Sequence, residues 1–400
     1  MISKKNLLYI FATVIVLIIL AVFLIRERVG DIRLSVLPPA GDLTKTTRET
    51  QQVGVGETVA FPLKLLENFQ IGTFAKNLGN ARDLEFTQDG TLFVSIPAQG
   101  KILALPDKNY DGIADEVKEI LQGLNKPHGI AFYNGKLFVA EETKIARYNW
   151  DPEKLSVTFD KLLFSLPEGG RHFTRTIAFN KKGQMFVSIG STCNVCFEKN
   201  EWLSAVVVSD TEGINPTLFA KGLRNSVFIT TNPATDEVWG TEMGRDFLGD
   251  NLPPDEINII SEGKDYGWPR CFGNKVHDTN FDSSGSGQSC ENTESPFYEI
   301  PAHSAPLGLV FINSPQFPKE WQGDLLVSYH GSWNRSVPTG YKITRLNVEG
   351  NTIKSEQDFV SGFLQGPQTY GRPVDLIFDS QGSLYISDDK SESIYKVTGG

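Results

Sequence analysis

VDLIFDSQGSLYISD, residues 374–388, holds two short apolar strands joined by a Ser-Gln-Gly turn. An apolar run, a Gly- or Asp-containing turn and a second apolar run together signal a β-hairpin. The same cassette recurs upstream as RDLEFTQDGTLFVSI (82–96), HGIAFYNGKLFVAE (128–141) and RTIAFNKKGQMFVSI (175–189). It recurs again as NSVFITTNPATDEVWGTE (225–242) and LGLVFINSPQFPKEWQGDLLVSY (307–329). Third strands follow as KILAL, KIARY, SAVVVSD, DEINII, YKITRL and SIYKV. Outer-strand candidates EILQGL, KLLFSL, TLFAKGL and DFVSGFL precede the second, third, fourth and sixth copies. Short strands repeating in a fixed order predict an all-β fold, a six-bladed β-propeller.

The segment GTFAKNL, 72–78, has the form of an outer strand but precedes the first copy. It is expected to complete the last blade, whose own sequence ends at SIYKV. Joining the two ends of the domain in this way leaves no free sheet edge. Residues 261–306 are rich in Gly, Ser and Asn and read as an excursion, not a seventh blade.

Working outward, Leu7 to Ile25 is an apolar run about long enough to cross a bilayer as a helix. No small-residue cleavage site or lipid-attachment Cys follows it, so it reads as an uncleaved anchor. The expected organisation is an anchor over 1–25, a stalk and first strand over 26–70, and the propeller over 71–400. The arginines after the run balance the lysines before it, so flanking charge leaves orientation open. The chain carries a net charge of −10, with no basic block beyond its N-terminus. That excludes a nucleic-acid surface, which needs a clustered positive field. The four cysteines are Cys193, Cys196, Cys271 and Cys290. An even count in an anchored chain suits disulfides in an oxidising space, with the catalytic domain on the extracytoplasmic side. A second CxxC for a zinc site is missing, and the pairing stays open.

In a propeller the first strand of each blade lines the central channel, so residues at the starts of these strands converge at one mouth. They are Arg82-Asp83, His128, His172 to Arg175, Arg224-Asn225, His303 and Arg372; three of the chain's five histidines fall among them. His172, five residues before Ile177, is the candidate general base, because imidazole titrates near working pH. Separately, Asp107, Asn109 and Asp111 followed by Gly112 resemble the start of an EF-hand loop. Position 12 is Lys118 instead of Glu, so the two readings are a shortened structural calcium loop and a plain acidic turn.

Residues 222–270 carry a family resemblance. Arg224-Asn225 precedes a strand, Gly244 follows the next, Asp255 to Asn258 opens a third, and Tyr266-Gly-Trp-Pro269 closes the unit. This order and spacing resembles the quinoprotein glucose and sorbosone dehydrogenases that use pyrroloquinoline quinone (PQQ). The resemblance implies oxidation of a sugar or sugar-like hydroxyl or aldehyde hydrate, with His172 as base and PQQ taking the hydride. It implies cofactor contacts from Arg224, Asn225, Gly244 and Arg372, with Arg335 and His128 as further candidates. It also implies a calcium ion on backbone carbonyls of Gly244 and Arg245. The chain departs from the glucose enzymes in three ways: Arg171 stands where they have an acidic residue, Val227 where they have Gln, and no Lys lies near Phe311 to Asn313. Rival readings are a calcium-dependent lactonase-type propeller using Asp83, Asn225 and Asp375, and a non-catalytic binding propeller with a decayed quinone site. No GxGxxG opens a helix and no GxSxG occurs, which argues against nicotinamide dehydrogenases and α/β-hydrolases. The electron acceptor is not legible.

Overall fold

The computed structural model describes residues 55–283 and 290–399. They form six antiparallel blades around a channel, and in each the first strand of the repeated cassette is innermost. The inner strands are Leu84–Phe86, Gly129–Tyr133, Arg175–Phe179, Ile229–Thr231, Pro306–Phe311 and Pro373–Phe378. We number the blades one to six in that order. The second strands Leu92–Ile96, Met185–Ile189, Leu325–Tyr329 and Leu384–Asp388 are buried at every position. Each is sandwiched between neighbouring blades on both faces, which is why its sequence is almost continuously apolar. The outer strand Ser156–Ser165 of blade two is mostly half-buried or exposed, and its sequence is correspondingly mixed.

The ring closes as expected. Phe69–Ala75 pairs antiparallel with Ser393–Gly399, with Ile71 opposite Val397 and Thr73 opposite Tyr395. Phe69 packs against Phe317, Trp321 and Phe359 of blade five, so the closing strand also seals the seam between blades five and six. The chain enters the propeller earlier than residue 71, however. Val59 and Phe61 are buried in the same core, and Lys64–Leu65 adds a fifth strand to blade five against Ser361 and Val360. The apolar side chains of VAFPLKLL drive this docking, because left on a stalk they would stand in water.

The described part of the segment 261–306, expected as an excursion, belongs to blade four and its link to blade five and forms no seventh blade. It contains a small hairpin, Cys271–Phe272 with Val276–His277, and returns as the outer strand Tyr298–Ile300. Disulfides join Cys193 to Cys196 and Cys271 to Cys290. The apolar run Leu7 to Ile25 lies outside the described residues; among those described, no helix is long and apolar enough to cross a membrane.

Candidate active site

The inner strands of all six blades start at the same end of the channel. At that end a cavity of about 230 Å³ is lined by Arg171, His172, Arg224, Asn225, Met243, Gly244, Asp246, Asp255, His303 and the loop carrying Trp333 and Asn334. Five expected residues, His172, Arg224, Asn225, Gly244 and His303, therefore meet. Close approach is possible because residue 190 is glycine. A Cβ there would lie 2.7 Å from the His172 Cβ and 2.9 Å from Asn225 Oδ1.

His172 hydrogen-bonds through Nδ1 to Ser191 Oγ at 2.7 Å. The Ser191 hydroxyl donates its one proton to the Cys193 carbonyl at 2.8 Å. It can then only accept from the imidazole, so Nδ1 carries the proton and Nε2 keeps its lone pair. Burial, and then the charges of Arg224 and Arg171, hold the His172 pKa down to about 3. The ring is neutral at pH 7 and able to accept a proton.

Arg171, which replaces the expected acidic neighbour, pairs with Asp246 at 2.9 Å. Orientation of the imidazole falls instead to Ser191. Arg224 is spent on the protein: Nε donates to the Asn194 carbonyl at 2.8 Å, Nη2 to Asn194 Oδ1 at 2.9 Å, and Nη1 to the Met243 and Gly244 carbonyls at 3.2 and 3.1 Å. Its guanidinium thus ties the loop after the second strand of blade three to the equivalent loop of blade four. Below it, Glu242 accepts from Asn225 N at 2.7 Å and Ser226 Oγ at 2.6 Å, and burial raises its pKa to about 8. Asp255 accepts from Gly244 N and Ala305 N, each at 2.9 Å, and burial raises its pKa to about 7.

Other expected residues lie elsewhere. His128 is buried beneath the cavity, with Nδ1 3.2 Å from Thr176 Oγ1 and its ring against Phe228. Arg372 does not line the cavity. It donates to the Gly331 and Ser332 carbonyls at 3.2 and 3.4 Å and lies over the Tyr341 ring, so it braces the loop behind Trp333. It also meets His330, whose Nε2 lies 2.9 Å from Asp389. Arg335 donates to the Ala302 carbonyl and to Asn251 at the rim. In both cases a guanidinium has turned to satisfy nearby carbonyls that would otherwise be buried unpaired.

Two metal expectations meet other geometry. The Gly244 carbonyl accepts from Arg224, and the Arg245 side chain turns away to Asp278 at 2.9 Å. The guanidinium takes one of the two lone pairs of the Gly244 carbonyl, and its charge opposes a dication there. In the blade-one turn, Asp107 accepts from Gly112 N at 3.1 Å, and Asn109 lies within 2.8 Å of Asp111. Asp115 accepts from Lys108 N at 2.6 Å. These carboxylates do not come together as a ligand group; the one such group among the described residues is Cys193, Cys196 and Glu198, whose sulfurs are held in the disulfide.

The residues present do fit an anionic, planar cofactor. Arg171 and Arg224 line the cavity with Asn225 and Asn334; of the carboxylates beside them, Asp246 is paired with Arg171, and burial raises the Asp255 pKa to about 7 and so reduces its negative charge. Ser191, Asn194, Asp246 and Asn334 were missed by the sequence reading. Ser191 alone had a signal: it directly follows the second strand of blade three, which runs back to the mouth where the inner strand starts.

The family model described as TrAA12-like matches residues 63–400. The chain belongs to the TrAA12-like family. An uncharacterized protein of Borreliella burgdorferi is 33% identical over 85% of this chain and 92% of its own length. A pyrroloquinoline quinone-dependent pyranose dehydrogenase of Coprinopsis cinerea is 24% identical over 84% of this chain. This chain spans only about half of that relative, 54% of its length. The holo form of the PQQ domain of a C. cinerea pyranose dehydrogenase superposes with a TM-score of 0.72 at 20% identity, covering 86% of this chain and 98% of that domain. The structural likeness at this identity establishes the shared propeller fold.

Proposed function

We propose that this propeller is a PQQ-dependent oxidoreductase acting on a hydroxyl or aldehyde hydrate of a sugar. The observation that carries the reading is His172, its Nδ1 fixed by Ser191 and its Nε2 free, in a cavity edged by Arg171 and Arg224. The pyranose dehydrogenase named above supports the cofactor and substrate class. When bound, the quinone supplies the acceptor for the hydrogen and electron pair leaving the substrate carbon. The chain's own residues do the rest. His172 Nε2 takes the hydroxyl proton, as a general base does. Ser191 holds the imidazole in the tautomer that leaves Nε2 free. Arg171 and Asn225 present N–H groups to carboxylates, Arg224 contributes its positive charge while its N–H groups hold the two loops, and Arg372 acts on the cofactor through the loop it braces.

Burial is the largest cause of the depressed His172 pKa, and an anion placed beside Arg171 and Arg224 offsets the smaller part that comes from their charges, which shifts the pKa upward. A calcium ion on the remaining lone pairs of the Gly244 and Arg245 carbonyls would add Lewis-acid polarisation of the quinone, and the roles given to His172, Ser191 and the arginines stand without it. The run Leu7 to Ile25 is proposed to anchor the chain, with the propeller on the extracytoplasmic side, where its two disulfides would persist. The test is to reconstitute the purified chain with PQQ and screen dye reduction over aldoses, uronic acids and aldehydes. Turnover on at least one sugar supports the proposal; absence of PQQ binding overturns it in favour of a binding propeller.

A further inference from the structure

Two aromatic rings at the cavity mouth are held in the open. Trp333 lines the cavity wall yet is 63% exposed, and Phe247 is 39% exposed. Their centroids are 6.2 Å apart with planes at 88°, so they form an open corner. Phe247 has φ of 73°, in the left-handed region that costs a bulky side chain energy. The frame around the rings is tightly bonded. Asn334 donates to Asp246 Oδ1 at 3.1 Å, Ser336 N and Oγ to Asp250, Arg335 to Asn251, and His303 Nε2 to the Gly249 carbonyl at 2.8 Å. These bonds clasp the 246–251 loop to the 332–339 loop and, through His303, to the segment entering blade five, while the two rings stay out. Large apolar side chains fixed in water beside a cavity mark a ligand surface.

We propose that Trp333 and Phe247 form a stacking platform for the second ring of a saccharide whose terminal ring is oxidised at His172. This rests on the sugar-oxidation reading above. A cavity of about 230 Å³ leaves no room for a second sugar ring beside a cofactor and the reacting ring, so any further ring must lie outward over Trp333. The C–H face of a pyranose suits an indole ring, and its edge hydroxyls reach the half-exposed Arg171 fork. The preferred substrate is therefore a disaccharide or longer, not a free hexose.

The test is calorimetric binding of glucose, galactose and mannose, and of α- and β-linked disaccharides ending in each, to the full chain with and without PQQ. Wild type should bind at least one disaccharide about tenfold tighter than its monosaccharide. Trp333→Ala should abolish that preference, Trp333→Phe should keep most of it, and Phe247→Ala should lose part. PQQ absorbance on binding should be unchanged in all three. A preference absent in wild type, or intact in Trp333→Ala, overturns the platform. So does loss of PQQ binding in Trp333→Ala, which would place the indole in the cofactor pocket, or slowed electron transfer with saccharide binding intact, which would assign it to the acceptor. Saccharide preference that depends on Trp333 without turnover on any sugar would instead sink the PQQ reading and leave the platform standing.

Discussion

The two ends of the channel are built by the same inner strands and differ in what their polar groups do. At the lower end a larger cavity, about 490 Å³, is lined by Asp83, Glu85 and Asp375 among strand residues. There the carboxylates face the protein: Asp83 accepts from Ile130 N at 2.7 Å, Glu85 from Phe132 N at 3.0 Å, and Asp375 from Leu84 N at 2.9 Å. Each stitches one blade to a neighbour, and burial raises all three pKa values, that of Glu85 to about 8 and that of Asp375 to about 6. At the upper end the side chains come from loops, and His172 Nε2 is left to a ligand. Cavity size therefore does not locate the site. The lower carboxylates each commit one oxygen to a blade-to-blade hydrogen bond.

The sharpest break between the two ends should come from His172→Ala. The account expects dye reduction to fall about 10²–10⁴-fold, the usual effect of losing a general base, with PQQ still bound by absorbance. Wild-type turnover in this variant would move the chemistry away from the upper mouth. Next in size is Arg224→Ala. It removes a cation and unties two loops, so PQQ affinity measured by titration should fall at least about tenfold. Ser191→Ala should lower kcat about tenfold and leave PQQ affinity unchanged, because only the tautomer and orientation of His172 are released.

The lower end is probed by stability. The folded pKa of Glu85 lies above its unfolded value, so the folded state holds more protons between about pH 4.5 and 8 and stability falls as pH rises through that window. Glu242 acts in the same direction. His172 acts oppositely: its depressed pKa leaves stability intact above about 6.5 and lost as pH falls toward 3. Glu85→Gln should flatten the decline in Tm from pH 4.5 to 8 without changing turnover. An unchanged slope would mean that Glu85 is ionised in the fold.

These contrasts also explain what could be read in the chain. The blades were legible because hairpins with two apolar strands announce themselves locally, and closure by residues 72–78 because that segment resembles the other outer strands. Lys64–Leu65 was not, since a two-residue strand beside Pro62 has no period to detect. His172, Arg224 and Asn225 were legible because inner-strand starts must converge. Asp246 and Trp333 come from loops of two different blades with no repeat in their sequence. Arg335 and Arg372 were recognisable as cations, but only the fold reveals that carbonyls at the rim and behind Trp333 claim them.

The central claim is that an anionic cofactor sits between Arg171 and Arg224 beside His172. Nitrogen NMR of the His172 ring, titrated with pH in the free and PQQ-bound chain, tests it most directly. The account predicts an Nδ1-protonated ring that resists protonation until about pH 3 in the free protein, and a clear upward shift when PQQ binds. A ring that titrates near 6.5 in the free protein and ignores PQQ would contradict it.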